Sequence, residues 1–131
     1  MKKIITVDGP AGSGKEKISR YIARKYKLYH LDSGLLYRRL AYVLEKKNIK
    51  TFEVDKIKSI IKNVKKLSLR KAKALRKEKI GKAASEIAKI DFVRDFINSQ
   101  QRLATRTPNT KKGFVIDGRD IGSVVFKRAY L

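Results

Sequence analysis

A β-branched run followed at once by a glycine-rich turn and a helical pattern opens this chain. Residues 3–8 read KIITVD, residues 9–15 read GPAGSGK, and apolar residues then recur at helical spacing. The order of strand, loop and helix with the spacing G-x-x-x-x-G-K is typical of a loop that cradles phosphates. Backbone N–H groups point into one concavity there, and the helix N-terminus adds positive charge. The sequence therefore predicts a site for a nucleoside triphosphate, with Lys15 on its outer phosphates.

The position after Lys15 departs from the usual pattern of such loops. A hydroxyl side chain commonly follows the lysine and helps to hold magnesium, but this chain has Glu16 there and Lys17 next. This change affects the metal more than the phosphates, so we expect Mg²⁺ to be held mainly through the nucleotide and assign no metal ligand in the chain. The predicted loop consists of Gly9, Pro10, Ala11, Gly12, Ser13, Gly14, Lys15, Glu16 and Lys17.

The net charge is +22, from 34 basic and 12 acidic residues in 131. Such a charge attracts polyanions, so nucleic-acid binding must be weighed as a function. The lysines are spread from residue 2 to residue 127, and no basic block alternates with aromatic residues as a base-stacking platform would require. We therefore expect nucleic acid to bind only non-specifically. A non-catalytic basic module that binds RNA or DNA stays open as the alternative.

Cysteine content and hydropathy restrict the compartment. The chain contains no cysteine, which excludes disulfides and cysteine-ligated metal and is typical of the reducing cytoplasm. No apolar run is long enough to span a membrane, so we expect no membrane association. The length suits one domain with a modest core.

Apolar periodicity predicts alternating strands and helices. Strands are predicted at residues 3–7, 28–32 and 113–117, and helices at 15–26, from about 35 to 47, and at 51–65, 80–89 and 92–104. The β-α-β-α order of the first half predicts a parallel sheet with helices on its faces. Residues 66–79 are the least regular part. They could begin with a brief strand, and the basic residues 71–79 are expected to be a solvated face.

Polar and charged residues follow the predicted strands at their carboxyl ends, where open parallel sheets bind ligands. Ser33 and Arg38 come after the second strand, and Arg119 and Asp120 come after the third. Arginine suits bidentate capture of a phosphate, so Arg38 and Arg119 are candidate phosphate ligands.

Other notable side chains are interpreted as structural. His30, the only histidine, lies inside a strand and has no acidic partner nearby in the sequence. Tyr21, Tyr26 and Phe96 fall at helical spacing among apolar residues, and we expect them in the core.

Three strings resemble the bacterial cytidylate kinases, which phosphorylate CMP and dCMP. They are ITVDGPAGSGK at residues 5–15, LDSGLLYR at 31–38 and DGRDIGSVVF at 117–126. The first string is shared by many phosphate-binding loops, whereas the second and third together are specific to this family. Weaker matches are Ala83-Ala84-Ser85, Val93-Arg94 and Gln101-Arg102.

The resemblance implies a fold and a set of roles. The fold is a P-loop NTPase-like three-layer α/β/α domain over residues 1–131, with a parallel sheet in the order 2-3-1 and a reduced helical insert at about 50–90 that binds the monophosphate. ATP phosphates would bind at Gly9 to Lys17. Ser33 would face the acceptor, Arg38 and Arg119 its phosphate, and Ser85, Arg94 and Asp120 the cytosine edge. Lys15, Arg38 and Arg119 would supply the catalytic charge, in a monomer.

The resemblance also sets an expectation about completeness. The family continues beyond Leu131 with further strands and an arginine-rich lid over ATP, so we expect a truncated kinase with weak catalysis at best. A different P-loop kinase, for shikimate or another nucleotide, is the alternative enzyme.

Overall fold

The computed structural model describes residues 3–9, 14–106 and 113–118. Contacts between residues divide the chain into two compact units. The first comprises residues 1–33 and 101–131 and is called the sheet unit here, and the second comprises residues 34–100 and is called the helical unit.

The sheet unit contains three parallel strands. They are β1 (Lys3–Asp8), β2 (Tyr29–Asp32) and β3 (Gly113–Gly118), in the order β1-β3-β2. Helix α1 (Lys15–Tyr26) connects β1 to β2 and packs against the sheet. Every residue of the central strand β3 is buried, as expected for a parallel strand that is covered on both faces. The predicted parallel α/β fold and the strand order 2-3-1 are confirmed.

Helix α1 faces the sheet with small side chains, which the periodicity did not identify. Tyr21 and Tyr26, predicted as core residues, are 62% and 55% exposed, and Ile18 is 53% exposed. The buried side chains of α1 are Ser19 and Ala23. Small side chains allow close approach of a helix to a sheet, so Ile18, Tyr21 and Tyr26 lie outside the contact, whereas Ile22 packs partly buried against the apolar cluster of the sheet. The core prediction is wrong for both tyrosines.

The remaining helices lie wholly or largely in residues 34–100. They are α2 (Ser33–Lys46), α3 (Val54–Asn63), a short 3-10 turn (Lys73–Arg76), α4 (Glu78–Ile87) and α5 (Asp91–Arg106). Their apolar stripes form the core of the helical unit, and Phe96 packs against it as predicted. The fully buried members of this core include Leu36, Leu40, Ile57, Ile87, Val93 and Ile97. The predicted monophosphate-binding insert at about 50–90 falls inside this unit, and its bounds stay a prediction.

Residues 64–72 are irregular but well anchored. The Gln100 side chain accepts a hydrogen bond from the Leu67 backbone N–H at 2.8 Å and donates one to the Lys65 carbonyl at 3.1 Å. The Arg39 guanidinium donates to the Arg70 carbonyl. Side chains from two helices thus satisfy backbone groups that would otherwise need a strand partner. The brief strand considered for this region is not formed, and the solvated face predicted for residues 71–79 is largely confirmed, because every lysine and arginine in it is exposed.

Candidate active site

The carboxyl ends of the three strands lie side by side at one edge of the sheet. In the register, Asp117 of β3 stands opposite Val7 of β1 and opposite Asp32 of β2. The Gly9 backbone N–H donates to the Gly118 carbonyl at 3.1 Å, which continues the β1–β3 pairing beyond the last residue of β1. The convergence of strand ends predicted from the sequence is therefore confirmed within the sheet unit.

Helix α1 begins with a backbone angle that favours glycine. Gly14 precedes the helix with φ at +85° and ψ at 6°, which is the left-handed region. Its carbonyl accepts the Ile18 N–H at 3.2 Å. Among the described residues no side chain caps the first N–H groups of α1, so this helix end keeps donors and positive dipole for an anion. Four residues of the predicted loop, Pro10 to Ser13, lie outside the described residues.

The first turn of α1 carries the charged end of the predicted loop. Lys15 is the first residue of the helix and is partly exposed, and Lys17 is exposed. The Glu16 carboxylate forms an ion pair with the Arg20 guanidinium one turn later, at 2.7 Å, and both side chains are more than half exposed. Glu16 therefore lies along the helix surface in a weak solvated pair. Among the described residues no group of three acidic, histidine or cysteine side chains could hold a metal ion.

His30 has a partner that sequence proximity did not reveal. Its Nε2 lies 2.5 Å from Oδ2 of Asp117, across the β2–β3 pairing and 87 residues away in the chain. Val115 is the register partner of His30, so Asp117 lies two residues further along and on the same face. The Asp117 side chain is 2% exposed and the His30 side chain 15%. The contact supplies a buried carboxylate with a hydrogen-bond partner beside the strand ends. The acidic end of β3 was the only signal in the sequence for this pair.

Ser33 occupies a junction without a connecting loop. Strand β2 ends at Asp32 and helix α2 begins at the next residue, Ser33, which is 8% exposed. Serine is favoured at helix starts, where its hydroxyl can serve backbone N–H groups. The junction keeps Ser33 at the carboxyl edge of the sheet, and its predicted contact with the acceptor stays a prediction.

Arg38 is held inside the helical unit. Its Nη1 donates to the Leu75 carbonyl at 2.8 Å, just before α4. The guanidinium also lies against Gly81 of α4, where a β-carbon would come within 2.9 Å of Nη2. The side chain is thus ordered by two contacts, neither of which could be predicted from the sequence.

The two cytosine-binding candidates that the structure describes lie on neighbouring helices. Ser85 is exposed on α4, and Arg94 is exposed at the start of α5, where it pairs with Asp91. Burial raises the pKa of Tyr37, with Arg94 acting to lower it and Asp95 to raise it. Tyr37 is the neighbour of Arg38 in α2, so the electrostatic coupling links this part of α2 to Arg94.

Two further predicted substrate ligands, Arg119 and Asp120, lie outside the described residues. Strand β3 ends at Gly118, immediately before them. Within the described part of the chain, no helix is long and apolar enough to cross a membrane.

Comparison with known proteins identifies the family. The family model described as cytidylate kinase matches residues 5–131. A cytidylate kinase of Bartonella bacilliformis is 42% identical over 124 residues, which cover 93% of this chain and 55% of that protein. A cytidylate kinase of Fusobacterium nucleatum is 34% identical over 137 residues, covering 96% of this chain and 60% of that protein.

A longer relative matches over a smaller share of its length. A bifunctional pantoate ligase/cytidylate kinase of Prochlorococcus marinus is 34% identical over 144 residues, covering 99% of this chain and 28% of that protein. The chain thus spans between 28% and 60% of the length of these three relatives. Because the family match extends over almost the whole chain and includes the loop before α1, the chain belongs to the cytidylate kinase family.

Proposed function

We propose that the chain takes part in transfer of the γ-phosphate of ATP to CMP or dCMP, giving CDP or dCDP. One observation carries the proposal: Lys15 is the first residue of α1, whose N-terminus no described side chain caps, and α1 is the next element in the chain after β1, which ends beside β3. Cations and N–H donors at that point match the charge of a triphosphate. We place the protein in the cytoplasm as a monomer.

The phosphate donor is proposed to bind at residues 9–17. The glycine before α1 lets the chain turn tightly, so backbone N–H groups of the loop can face the phosphates. The Lys15 ammonium group would contact the outer phosphates and offset their negative charge. The Glu16 carboxylate is paired with Arg20, so Mg²⁺ would be held mainly through the nucleotide, where it would supply positive charge.

The ligands of the acceptor are proposed to come from α2, α4 and α5 and from the residues that follow β3. Arg38 has a fork of N–H donors that suits the acceptor phosphate, and Arg119 would bind the same group. Ser33 would contact the acceptor, and Ser85, Arg94 and Asp120 would read the cytosine edge. Cytosine presents an amino donor, a ring nitrogen and a carbonyl, so a carboxylate and an arginine complement it.

Positioning and charge cancellation would account for most of the rate. Two polyanions must be brought into line, and their mutual repulsion must be overcome. Lys15, Arg38 and Arg119 supply positive charge for this purpose. The acceptor phosphate oxygen is itself the nucleophile, so the chain needs no separate general base.

A turnover assay tests the proposal. ADP formation is measured with ATP, Mg²⁺ and, in parallel, CMP, dCMP, UMP or shikimate. CMP and dCMP should be phosphorylated, and UMP and shikimate less well. Lys15→Ala and Arg119→Ala should each lower kcat/KM by about 100-fold or more, because each removes charge stabilisation of the transferred group.

Lys71→Ala is the matched control, because Lys71 is an exposed lysine on the solvated basic face. Its kcat/KM should stay within about twofold of the wild-type value. Equal losses in Lys71→Ala and Arg119→Ala would contradict the site. Preference for shikimate would favour the alternative enzyme.

A second function, binding of RNA or DNA, is favoured by one observation. Every lysine and arginine from residue 65 to residue 82 is exposed, and Glu78 is the only acidic residue of that stretch. Neutralisation of phosphates by such a surface would release counterions and make binding steeply dependent on salt.

Binding of an arbitrary polynucleotide at several salt concentrations separates the two functions. A steep decrease of affinity with salt, together with no effect of ATP on the melting temperature, would favour the nucleic-acid module. ATP-dependent thermal stabilisation together with CMP turnover would favour the kinase.

A further inference from the structure

The Arg38 guanidinium packs against α4 at Gly81, a residue without a side chain. A β-carbon built on Gly81 would come within 2.9 Å of Nη2 and 3.2 Å of both Cζ and Nη1 of Arg38. Real β-carbons essentially never approach a heavy atom to under 3.0 Å. Three atoms of the guanidinium plane therefore occupy space that any side chain at position 81 would take.

The presence of glycine at this position needs an explanation from packing. Gly81 is the fourth residue of α4, and its N–H donates to the carbonyl of the N-cap residue Lys77 at 3.0 Å. Glycine in a helix interior costs about 1 kcal/mol relative to alanine. A left-handed backbone angle does not account for it, since Gly14 is the glycine of the described residues that has a positive φ. Space for the Arg38 guanidinium is a packing reason for glycine at this position.

Within the described residues, the contacts of Arg38 with Gly81 and Leu75 leave most of the guanidinium N–H donors available. Nη1 donates one N–H to the Leu75 carbonyl at 2.8 Å, and no other acceptor among the described residues contacts the group. An arginine has five N–H donors in a planar fork. Ser85, a proposed acceptor ligand, lies one helical turn after Gly81 on the same side of α4 and is exposed. The contact with Gly81 therefore holds the Arg38 guanidinium beside the face of α4 that carries Ser85.

We propose that Gly81 is a positioning residue: its missing side chain seats the Arg38 guanidinium against α4 and thereby sets the affinity for the phosphate of CMP. This rests on the proposed function, in which Arg38 binds that phosphate. A side chain at position 81 moves the flexible end of Arg38 rather than the backbone, so the effect falls on ligand affinity and leaves the fold intact.

The experiment compares Gly81→Ala with the wild-type chain by calorimetric titration with CMP and with cytidine. CMP should bind about tenfold more weakly to the variant, the loss expected when a charge-assisted hydrogen bond is misplaced. Cytidine affinity should not change, because cytidine lacks the phosphate. The melting temperature should be unchanged or higher, because alanine is the better helix former.

Two further variants separate positioning from a general effect on α4. In the Arg38→Ala background, Gly81→Ala should have no further effect on CMP affinity, because the group that it displaces is gone. Ala83→Gly makes the opposite change on the same helix. It should lower the melting temperature and leave CMP affinity unchanged.

Each outcome decides the proposal. Equal CMP affinities of wild type and Gly81→Ala would overturn it, and so would additive losses in the double variant or equal weakening of CMP and cytidine. Failure of the wild-type chain to bind CMP at all would overturn the proposed function itself, and the positioning role with it. That result is distinct from normal wild-type binding combined with an unaffected Gly81→Ala variant.

Discussion

The sheet unit and the helical unit both bury apolar side chains, but they differ in the role of their buried polar groups. The sheet unit buries apolar residues that include Ile5, Leu31 and Ile116, and it places a buried carboxylate–imidazole pair next to the strand ends. The helical unit has a core of leucine and isoleucine side chains. Its polar side chains mainly hold irregular backbone in place, as Gln100 does.

The residues that we expect to contribute most to stability are therefore different from the polar residues near the proposed site. In the helical unit, core side chains contribute most through removal of apolar surface from water. In the sheet unit, the groups near the strand ends must be polar, and their burial is tolerated because they pair with each other. We therefore expect core substitutions in the helical unit to have the largest effects on folding, and polar substitutions to have smaller and more local effects.

Leu40→Ala should have the largest effect on stability. Leu40 is fully buried in the core of the helical unit, so its truncation should lower the free energy of unfolding by about 2–5 kcal/mol. Urea denaturation followed by circular dichroism measures the change. Phe52→Ala is the control, because Phe52 is 79% exposed. Similar losses in the two variants would show that the helical core is not the main source of stability.

His30→Ala tests the polar pair of the sheet unit. The substitution leaves the nearly buried Asp117 carboxylate without the partner that lies 2.5 Å away, so we expect a loss of about 1–3 kcal/mol. A cycle with Asp117→Asn measures the coupling between the two side chains. The double variant should lose less than the sum of the single losses. Strict additivity would mean that the pair does not contribute to stability.

Gln100→Ala tests the anchoring of the irregular segment. It removes the acceptor of the Leu67 N–H and the donor to the Lys65 carbonyl, so we expect a loss of about 1–2 kcal/mol. Hydrogen exchange of the Leu67 amide should accelerate. Unchanged exchange at Leu67 in the alanine variant would contradict the anchoring role.

Burial of Tyr37 should make the stability of the helical unit decrease at alkaline pH. Burial raises the pKa of Tyr37 above its ordinary value of 10.0, so the folded state favours the neutral phenol. The associated stability is fully present below the ordinary pKa and is lost as pH rises through the folded-state value. Urea midpoints measured at increasing pH from about 9 should decrease less steeply for Tyr37→Phe than for the wild type. Identical slopes would count against the burial of this phenol.

Tyr21→Ser should have the smallest effect. Tyr21 is 62% exposed on α1, so its loss should change the free energy of unfolding by less than about 0.5 kcal/mol. The same urea measurement applies, with Ala23→Ser as the comparison at a buried position of the helix. A loss above 1 kcal/mol for Tyr21→Ser would restore the core position that periodicity predicted.

The sequence predicts the three strands and the parallel sheet well, because β-branched runs and glycine-rich turns are local signals, whereas the strand order was implied by the resemblance to the cytidylate kinases. It predicts where α1 begins and ends but not which face of α1 is buried. That face depends on the distance to the sheet, which favoured Ser19 and Ala23 over larger side chains. Periodicity describes a stripe and does not measure how closely the stripe approaches its neighbour.

The candidate site was predictable only in its local parts. The loop before α1 is a continuous string, so its strand–loop–helix context could be read directly. The contacts of Arg38 with Leu75 and Gly81 join residues 37 and 43 positions apart, and no local pattern encodes them. The same holds for His30 and Asp117, whose sequence separation is 87 residues.

The 87-residue separation of His30 and Asp117 affects how the register between β2 and β3 is determined. Strands β2 and β3 are parallel and distant in the chain, so no hairpin turn fixes which residues face each other. Slippage by one residue would send Asp117 to the opposite face of the sheet and away from the imidazole. The His30–Asp117 contact can therefore favour the one alignment of β2 with β3 in which Asp32 stands opposite Asp117.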